Sequence, residues 1–426
     1  MPLQYSAVQT ALDASSFDAI AERMRCLMLR NVAGREYRFI DPYDAKISAE
    51  PGCIIASPSY PPDDPNTTQD YVHNWTRDAA LTAIELEKQG LATDDFARDY
   101  VAFAALCQQR AKEAGKFDYA CFNVDGNLRA VPPWSCQSDG PALQTLAVIA
   151  LWDRLDEAGQ AQAEALVAAN LQFLLGAYEQ KTTSLWEEKS GGSFFARSVQ
   201  RRCFDAMKTH ALRGALPADA FDEPIAWLDE KLAGHWDEEL GCYRTFDPDD
   251  DVKDYDPNID VVLAALCGSI ATTDPMLLAT AAKLHQQWSE GGAFAYGINA
   301  ADGRERGIGP LLGRYPRDHY DGDGDHTGDG HPWALCTCAF AELCYRVAAA
   351  PTADPLAAAF FEQVGPTREE LREAGDRMLR AVVFHSDHLE LSEQFDRETG
   401  FEKSVRNLTW SYSAFLSAVR ARTAVA

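Results

Sequence analysis

The chain has 426 residues, 46% hydrophobic and 24% charged, with a formal charge of -26 at pH 7. A field of that sign repels phosphate, which argues against nucleic acid or an anionic membrane as partner and leaves a neutral substrate free to approach. No run reaches the length needed to cross a bilayer.

The start, Met1-Pro2-Leu3-Gln4-Tyr5, lacks a basic region followed by an apolar core, so a cytoplasmic protein is expected. A chain already relieved of a leader would read the same. Residues 1–44 read as an N-terminal helical arm. Cys53-Ile54-Ile55-Ala56 is the best short strand candidate. Phe96, Tyr100, Phe103 and Cys107 then fall at helical spacing, and Ile259, Val262, Leu263, Leu266 and Ile270 repeat the pattern. Between those two runs, Cys242-Tyr243-Arg244-Thr245-Phe246 is a second strand candidate. Leu408, Tyr412, Phe415, Leu416 and Val419 form the last helical face.

Between Phe17 and Arg420 about a dozen such helical segments follow one another, so periodicity predicts an all-α fold. No low-complexity linker and no appended carbohydrate-binding module interrupts them, and residues 1–426 read as a single domain. The long loops 123–138, 241–257 and 303–331 are expected to gather at one end as a site. Eleven cysteines, several inside apolar helical patterns and none spaced Cys-x-x-Cys, read as small buried hydrophobes rather than zinc ligands or disulfides.

The chemistry begins at Thr183-Ser184-Leu185-Trp186-Glu187-Glu188-Lys189-Ser190-Gly191-Gly192-Ser193. Two carboxylates follow a Trp, then a Gly-Gly turn leads to a Ser placed to cap a helix beginning near Phe194. An acid on a short loop beside an aromatic surface is partly desolvated, which raises its pKa and fits it to donate a proton. An acidic turn at a helix start, favoured by the dipole, reads equally well from this stretch alone.

Six further stretches accompany it: Tyr71-Val72-His73-Asn74-Trp75-Thr76-Arg77-Asp78, Asp139-Gly140-Pro141-Ala142-Leu143, Gly313-Arg314-Tyr315-Pro316, Pro332-Trp333-Ala334-Leu335-Cys336-Thr337, Ser392-Glu393-Gln394 and Leu408-Thr409-Trp410-Ser411-Tyr412. With Leu185-Trp186-Glu187-Glu188 they stand in the order seen in glycoside hydrolase family 15, the glucoamylase family, which this chain resembles from about Gly52 to Arg420. The resemblance implies an (α/α)6 barrel, six inner helices ringed by six outer ones. It also implies an inverting exo-α-glucosidase that removes glucose from the non-reducing ends of α-1,4 gluco-oligosaccharides or polysaccharides, with Glu187 as general acid and Glu393 as general base.

Inverting carboxyl pairs stand roughly 6.5–9.5 Å apart to admit the water. Read alone, Glu393 among Glu390, Asp396 and Glu398 reads as a solvated residue. By resemblance, Glu188 binds the sugar beside the scissile bond, Arg77 and Asp78 grip the terminal glucose, and Arg314 is a further ligand. The charge of Glu188 is also expected to help keep Glu187 protonated. Tyr71, Trp134, Trp186, Trp333 and Trp410 supply aromatic faces for the apolar side of a sugar ring, with Trp410 expected behind Glu393.

His73, Ser184 and Ser135 depart from the residues common in that family, which leaves the preference beyond the first glucose open. Linkage α-1,6, dextran ends and trehalose are the alternatives for substrate, and a non-catalytic glucan-binding regulatory protein is the alternative of another class. No cofactor, no metal and a monomer are expected. Within the run from Asp318 to Gly330, a stretch from Asp321 starts like a calcium loop, but His326 occupies its sixth place where Gly is needed and Pro332 its twelfth where Glu is needed.

Overall fold

A computed structural model describes residues 16–61, 69–129, 136–323, 329–350 and 354–425. The helices are α1 (Ser16–Leu29), α2 (Thr76–Lys88), α3 (Asp94–Glu113), α4 (Asp139–Leu151), α5 (Glu157–Ala177), α6 (Phe194–Met207) and α7 (Asp222–Ala233). They continue with α8 (Asp260–Cys267), α9 (Pro275–Trp288), α10 (Gly297–Glu305), α11 (Ala334–Ala349), α12 (Ala358–Val364), α13 (Arg368–His385) and α14 (Thr409–Thr423).

Packing sorts them into two rings. Helices α2, α4, α6, α8, α11 and α14 each touch the next, and α14 returns to α2, so the inner ring closes. Outside it, α1 lies on α14, α3 and α5 on α4, α7 on α6, α9 on α8 and α13 on α11. Outer and inner helices alternate along the chain, which is the (α/α)6 barrel, and α10 and α12 are additions to the alternation.

The two rings differ in sequence because they differ in environment. Residues 334–345 of α11 and 139–148 of α4 are buried without a break, so these inner helices carry no solvent stripe. Alanines at 79, 80, 83, 142, 147, 339 and 341 keep the ring tight. The outer helix α3 instead buries only Ala97, Tyr100, Val101, Phe103, Ala104, Cys107 and Ala111, one face of its cylinder. Phe340, fully buried between α11 and its neighbours, is a position where truncation to Ala costs about 3–5 kcal/mol. Side-chain caps start several helices: Thr93 accepts from Phe96 N, Ser193 from Ala196 N and Asp274 from Leu277 N.

Four two-residue strand pairs, three of them hairpins, lie in the connections between helices. They pair β1 (Asn74–Trp75) with β2 (Cys121–Phe122), β3 (Thr182–Thr183) with β4 (Ser190–Gly191), β5 (Trp236–Asp237) with β6 (Cys242–Tyr243), and β7 (Gln394–Phe395) with β8 (Glu402–Lys403). The expected strand at 53–56 reduces to one bridge, Val32 to Ile54, and that at 242–246 to the two residues of β6.

The helical run expected to reach Ile270 ends at Cys267. A side chain at Gly268 would meet Ser198 Oγ at 2.1 Å, so α8 turns away where it presses on α6. Of residues 1–44, the described helix is α1, which packs on α14 as an outer member of the barrel. All eleven cysteines are free. Among the described residues no helix is long and apolar enough to cross a membrane.

Candidate active site

The starts of α2, α4, α8, α11 and α14 bring Trp75, Gln137, Asn258, Trp333 and Trp410 against Glu187 or Trp186, at ends where the helix dipoles are positive. Into that region hang the loops from the long connections, and with them the two carboxylates singled out in the sequence.

Glu187 sits in the turn closed by the β3–β4 hairpin, where Ser184 N donates to Lys189 O at 2.7 Å and Glu187 N to Ser184 O at 2.9 Å. Its φ of 65° places it in the left-handed region, rare for a side chain of this size. The carboxyl thereby meets the start of α2. Its Oε1 accepts from Gln137 Nε2 at 2.8 Å and Trp75 Nε1 at 3.0 Å, with an Arg77 nitrogen at 3.5 Å. Oε2 has no protein partner among the described residues. Burial pushes the pKa of Glu187 up to about 7, aided by the charge of Asp78 and opposed by Arg77, Gln137 and Trp75. Glu188, expected to supply that repulsion, is engaged elsewhere.

Glu393 precedes β7 and is 3% exposed. Its Oε1 accepts from Tyr71 Oη at 2.9 Å; its Oε2 accepts from Tyr320 Oη at 3.0 Å and from Ser404 Oγ, which lies just past β8. Burial raises its pKa, against the pull of these three hydroxyls. The two tyrosine hydroxyls are themselves 3.2 Å apart, so they form a continuous polar edge around one carboxylate.

Glu188 completes the acidic set. Arg314 donates to its Oε1 at 2.6 Å, and Tyr315 and Tyr255 donate to its Oε2 at 2.6 and 3.0 Å. Burial would raise its pKa, but the Arg314 charge and these donors outweigh it and hold the carboxyl below its ordinary value. Arg314 also bonds Asp318 at 2.8 and 2.6 Å and is boxed by the rings of Trp333, Tyr320, Trp186 and Tyr315 at 5.0–5.3 Å.

The aromatic set converges only in part on Glu393. Trp186 lies 5.6 Å from Trp333 and stacks on Trp410 at 6.5 Å, while its Nε1 donates to Asn258 at the start of α8. Trp410 finds its contacts on the Glu187 side, against Trp186 and under Arg77 at 5.6 Å. Trp134, Ser135 and residues 324–328 of the calcium-like run lie outside the described residues.

Arg77, expected as a sugar ligand, is 5% exposed and donates to Gln137, Asp139, Leu185 O and Glu187, so its hydrogen bonds go to protein. Asp78 has no side-chain partner among the described residues, and burial pushes its pKa up to about 6 against the charge of Arg77. His73 faces Asp70 at 2.7 Å and the edge of Trp75. Among the described residues no group of three His, Cys, Asp or Glu is arranged to hold a metal ion.

Several partners escaped the sequence reading. Gln137, Tyr255, Tyr320 and Ser404 stand on loops, where a lone polar residue has no periodicity to mark it. Ser404 has a φ of 63°, a backbone state that a Ser gives no warning of. Tyr315 did sit inside the Gly-Arg-Tyr-Pro stretch, which drew attention to Arg314 alone.

A barrel of this kind, with the buried Glu393 and the half-buried Glu187 brought from distant segments among tryptophans and tyrosines, defines a glycoside hydrolase. The chain belongs to the glycosyl hydrolases family 15, whose model matches residues 37–420. A probable glucoamylase of Schizosaccharomyces pombe is 30% identical over 408 residues, 88% of this chain and 86% of that protein. The intracellular sporulation-specific glucoamylase of Saccharomyces cerevisiae is 26% identical over 459 residues, 89% and 80% of the two. The solved glucoamylase of Saccharomycopsis fibuligera superposes with a TM-score of 0.80 at 22% identity, over 96% of this chain and 95% of that one.

Proposed function

We propose that this glycoside hydrolase inverts the anomeric centre and acts from the non-reducing end of α-1,4 gluco-oligosaccharides, releasing β-D-glucose. The observation that carries the reading is the unequal dressing of two carboxylates. Glu187 keeps Oε2 free and a pKa of about 7, which suits a proton donor. Glu393 has both oxygens taken by hydroxyl donors, which favour its charged form against the burial that raises its pKa.

In this reading Glu187 gives its proton to the glycosidic oxygen as the C1–O bond breaks. Water, deprotonated by Glu393, forms the new C1–O bond from the opposite face, so one water is consumed and the configuration inverts. Glu188 and Asp78 accept from sugar hydroxyls, and Trp186, Trp333 and Tyr71 cover the ring faces. The name glucoamylase carried by the relatives supports the glucan substrate.

Proton NMR of fresh maltotriose hydrolysis tests it. β-Glucose appearing before mutarotation supports inversion, and α-glucose as first product overturns it. Isomaltotriose and trehalose in the same assay test the linkage: faster cleavage of either one overturns the α-1,4 assignment.

A further inference from the structure

The inner ring also holds a cavity of about 70 Å³ that is partly open to solvent. Trp410 closes it on the side of the catalytic carboxylates, and its walls come from α2, α6, α8, α11 and α14. It lies toward the C-terminal ends of these helices, with the exposed Lys88, the last residue of α2, at its edge. A water needs on the order of 10–15 Å³ by this kind of measure, so the space admits one tetrahedral oxyanion.

The charges around it do not balance. Glu85 is bonded by Arg420 at 3.2 and 2.9 Å, and Glu342 by Arg346. Lys88 and Arg202 line the same space and form no ion pair among the described residues. Four cations, Lys88, Arg202, Arg346 and Arg420, against two carboxylates, Glu85 and Glu342, leave two positive charges in surplus inside a chain of net charge -26.

Helix C-termini attract cations, and Arg202 uses one arm to bond the Cys267 carbonyl at 2.7 Å. Lys88 has no such acceptor: its ammonium makes no hydrogen bond among the described residues. Burial lowers its pKa, and Arg420 and Arg202 add to that against Glu85 and Glu342. A cation in that position is stabilised by an anion that neutralises its neighbours as well.

We infer that this axial cavity is a binding site for a small dianionic oxyanion of the phosphate class, held between Lys88 and Arg202. The free ion and the phosphate group of a small ester share that chemistry. The site stands apart from the carboxylates of the hydrolytic reaction and does not depend on which linkage they cleave.

Calorimetric titration of the full chain at pH 7.5 with sodium phosphate, against sodium chloride at equal ionic strength, is the test. Saturable binding of one phosphate is expected, with a dissociation constant on the order of 1 mM or tighter. Lys88→Gln and Arg202→Gln each weaken it by at least about tenfold. Glucose 6-phosphate in a parallel titration separates the sources: tighter binding than phosphate assigns the site to an ester, weaker binding to the free ion. No saturable heat with either, or Lys88→Gln binding as tightly as the parent, overturns the site. Lys88→Gln breaks no hydrogen bond or ion pair among the described residues, so its result stands even if Arg202→Gln fails to fold.

Discussion

Trp75 Nε1 donates to Glu187 Oε1 at 3.0 Å, and the same indole lies 5.4 Å from the ring of Tyr71, whose hydroxyl donates to Glu393. One short segment, residues 71–77, therefore touches both carboxylates, which are otherwise 206 positions apart in the chain. It leads directly into α2, so the inner ring fixes where both partners stand.

Trp75→Phe keeps the ring contact and deletes the donor. That donor favours ionised Glu187, so its loss raises the pKa further. A hydrogen bond worth about 1 kcal/mol corresponds to a shift of roughly 0.7 unit. The alkaline limb of the kcat profile should move up by about that amount while the acid limb stays in place. Movement of the acid limb instead would place the effect on Glu393.

Activity should fall as pH rises through about 7, because a donor must hold its proton and Glu187 loses it there. Glu187→Gln and Glu393→Gln should each lower kcat on maltotriose by about 10²–10⁴. Aryl glucosides with acidic leaving groups need no proton, so they should recover turnover in Glu187→Gln and not in Glu393→Gln. Equal recovery in both variants would exchange or abolish the assigned roles.

Arg314 is 2% exposed and answers both Asp318 and Glu188. Arg314→Met leaves two carboxylates without their cation, a change that costs about 3–5 kcal/mol. It should lower the urea midpoint and raise KM together. An unchanged midpoint would mean that solvent already screens the cluster.

Asp260, fully buried at the start of α8, has one oxygen without a partner among the described residues and a pKa pushed up by burial to about 8. The folded chain keeps this proton up to about pH 8, whereas the unfolded chain releases it near 3.8. Between those values the native state binds more protons, so stability falls as pH rises. Asp260→Asn should remove this group's share of the decline, up to about 1.4 kcal/mol per pH unit. Urea unfolding at pH 5 and pH 8 measures it, and parallel losses in parent and variant would contradict it.

The fold was legible in unequal parts. Amphipathic outer helices such as α3 announce themselves through residues 96, 100, 103 and 107. Inner helices such as α11 are apolar all round, which marks them as helices and hides which neighbour they face. Their order in the ring came from the resemblance, and packing supplies the physical account. At the site, Glu187 and Glu393 stood in recognisable stretches, whereas Tyr320 and Ser404 reach Glu393 only because loops distant in sequence meet at the helix ends. Arg77 reads as a sugar ligand through the resemblance alone, and the structure adds that its two terminal nitrogens bond Gln137, Asp139 and Leu185 O while Nε has no partner among the described residues.

The inner ring is a loop of staves, and residues 409–423 form the stave that joins the fifth to the first. A ribosome threading this chain outward therefore exposes five staves before the keystone appears, with the apolar flanks of α2 and α11 still bare. Trp410 travels on that last piece, so the enzyme acquires the floor beneath Glu187 in the same event that seals its walls. A nascent chain halted before residue 409 should behave as a chaperone client, with no catalytic remnant to reveal it.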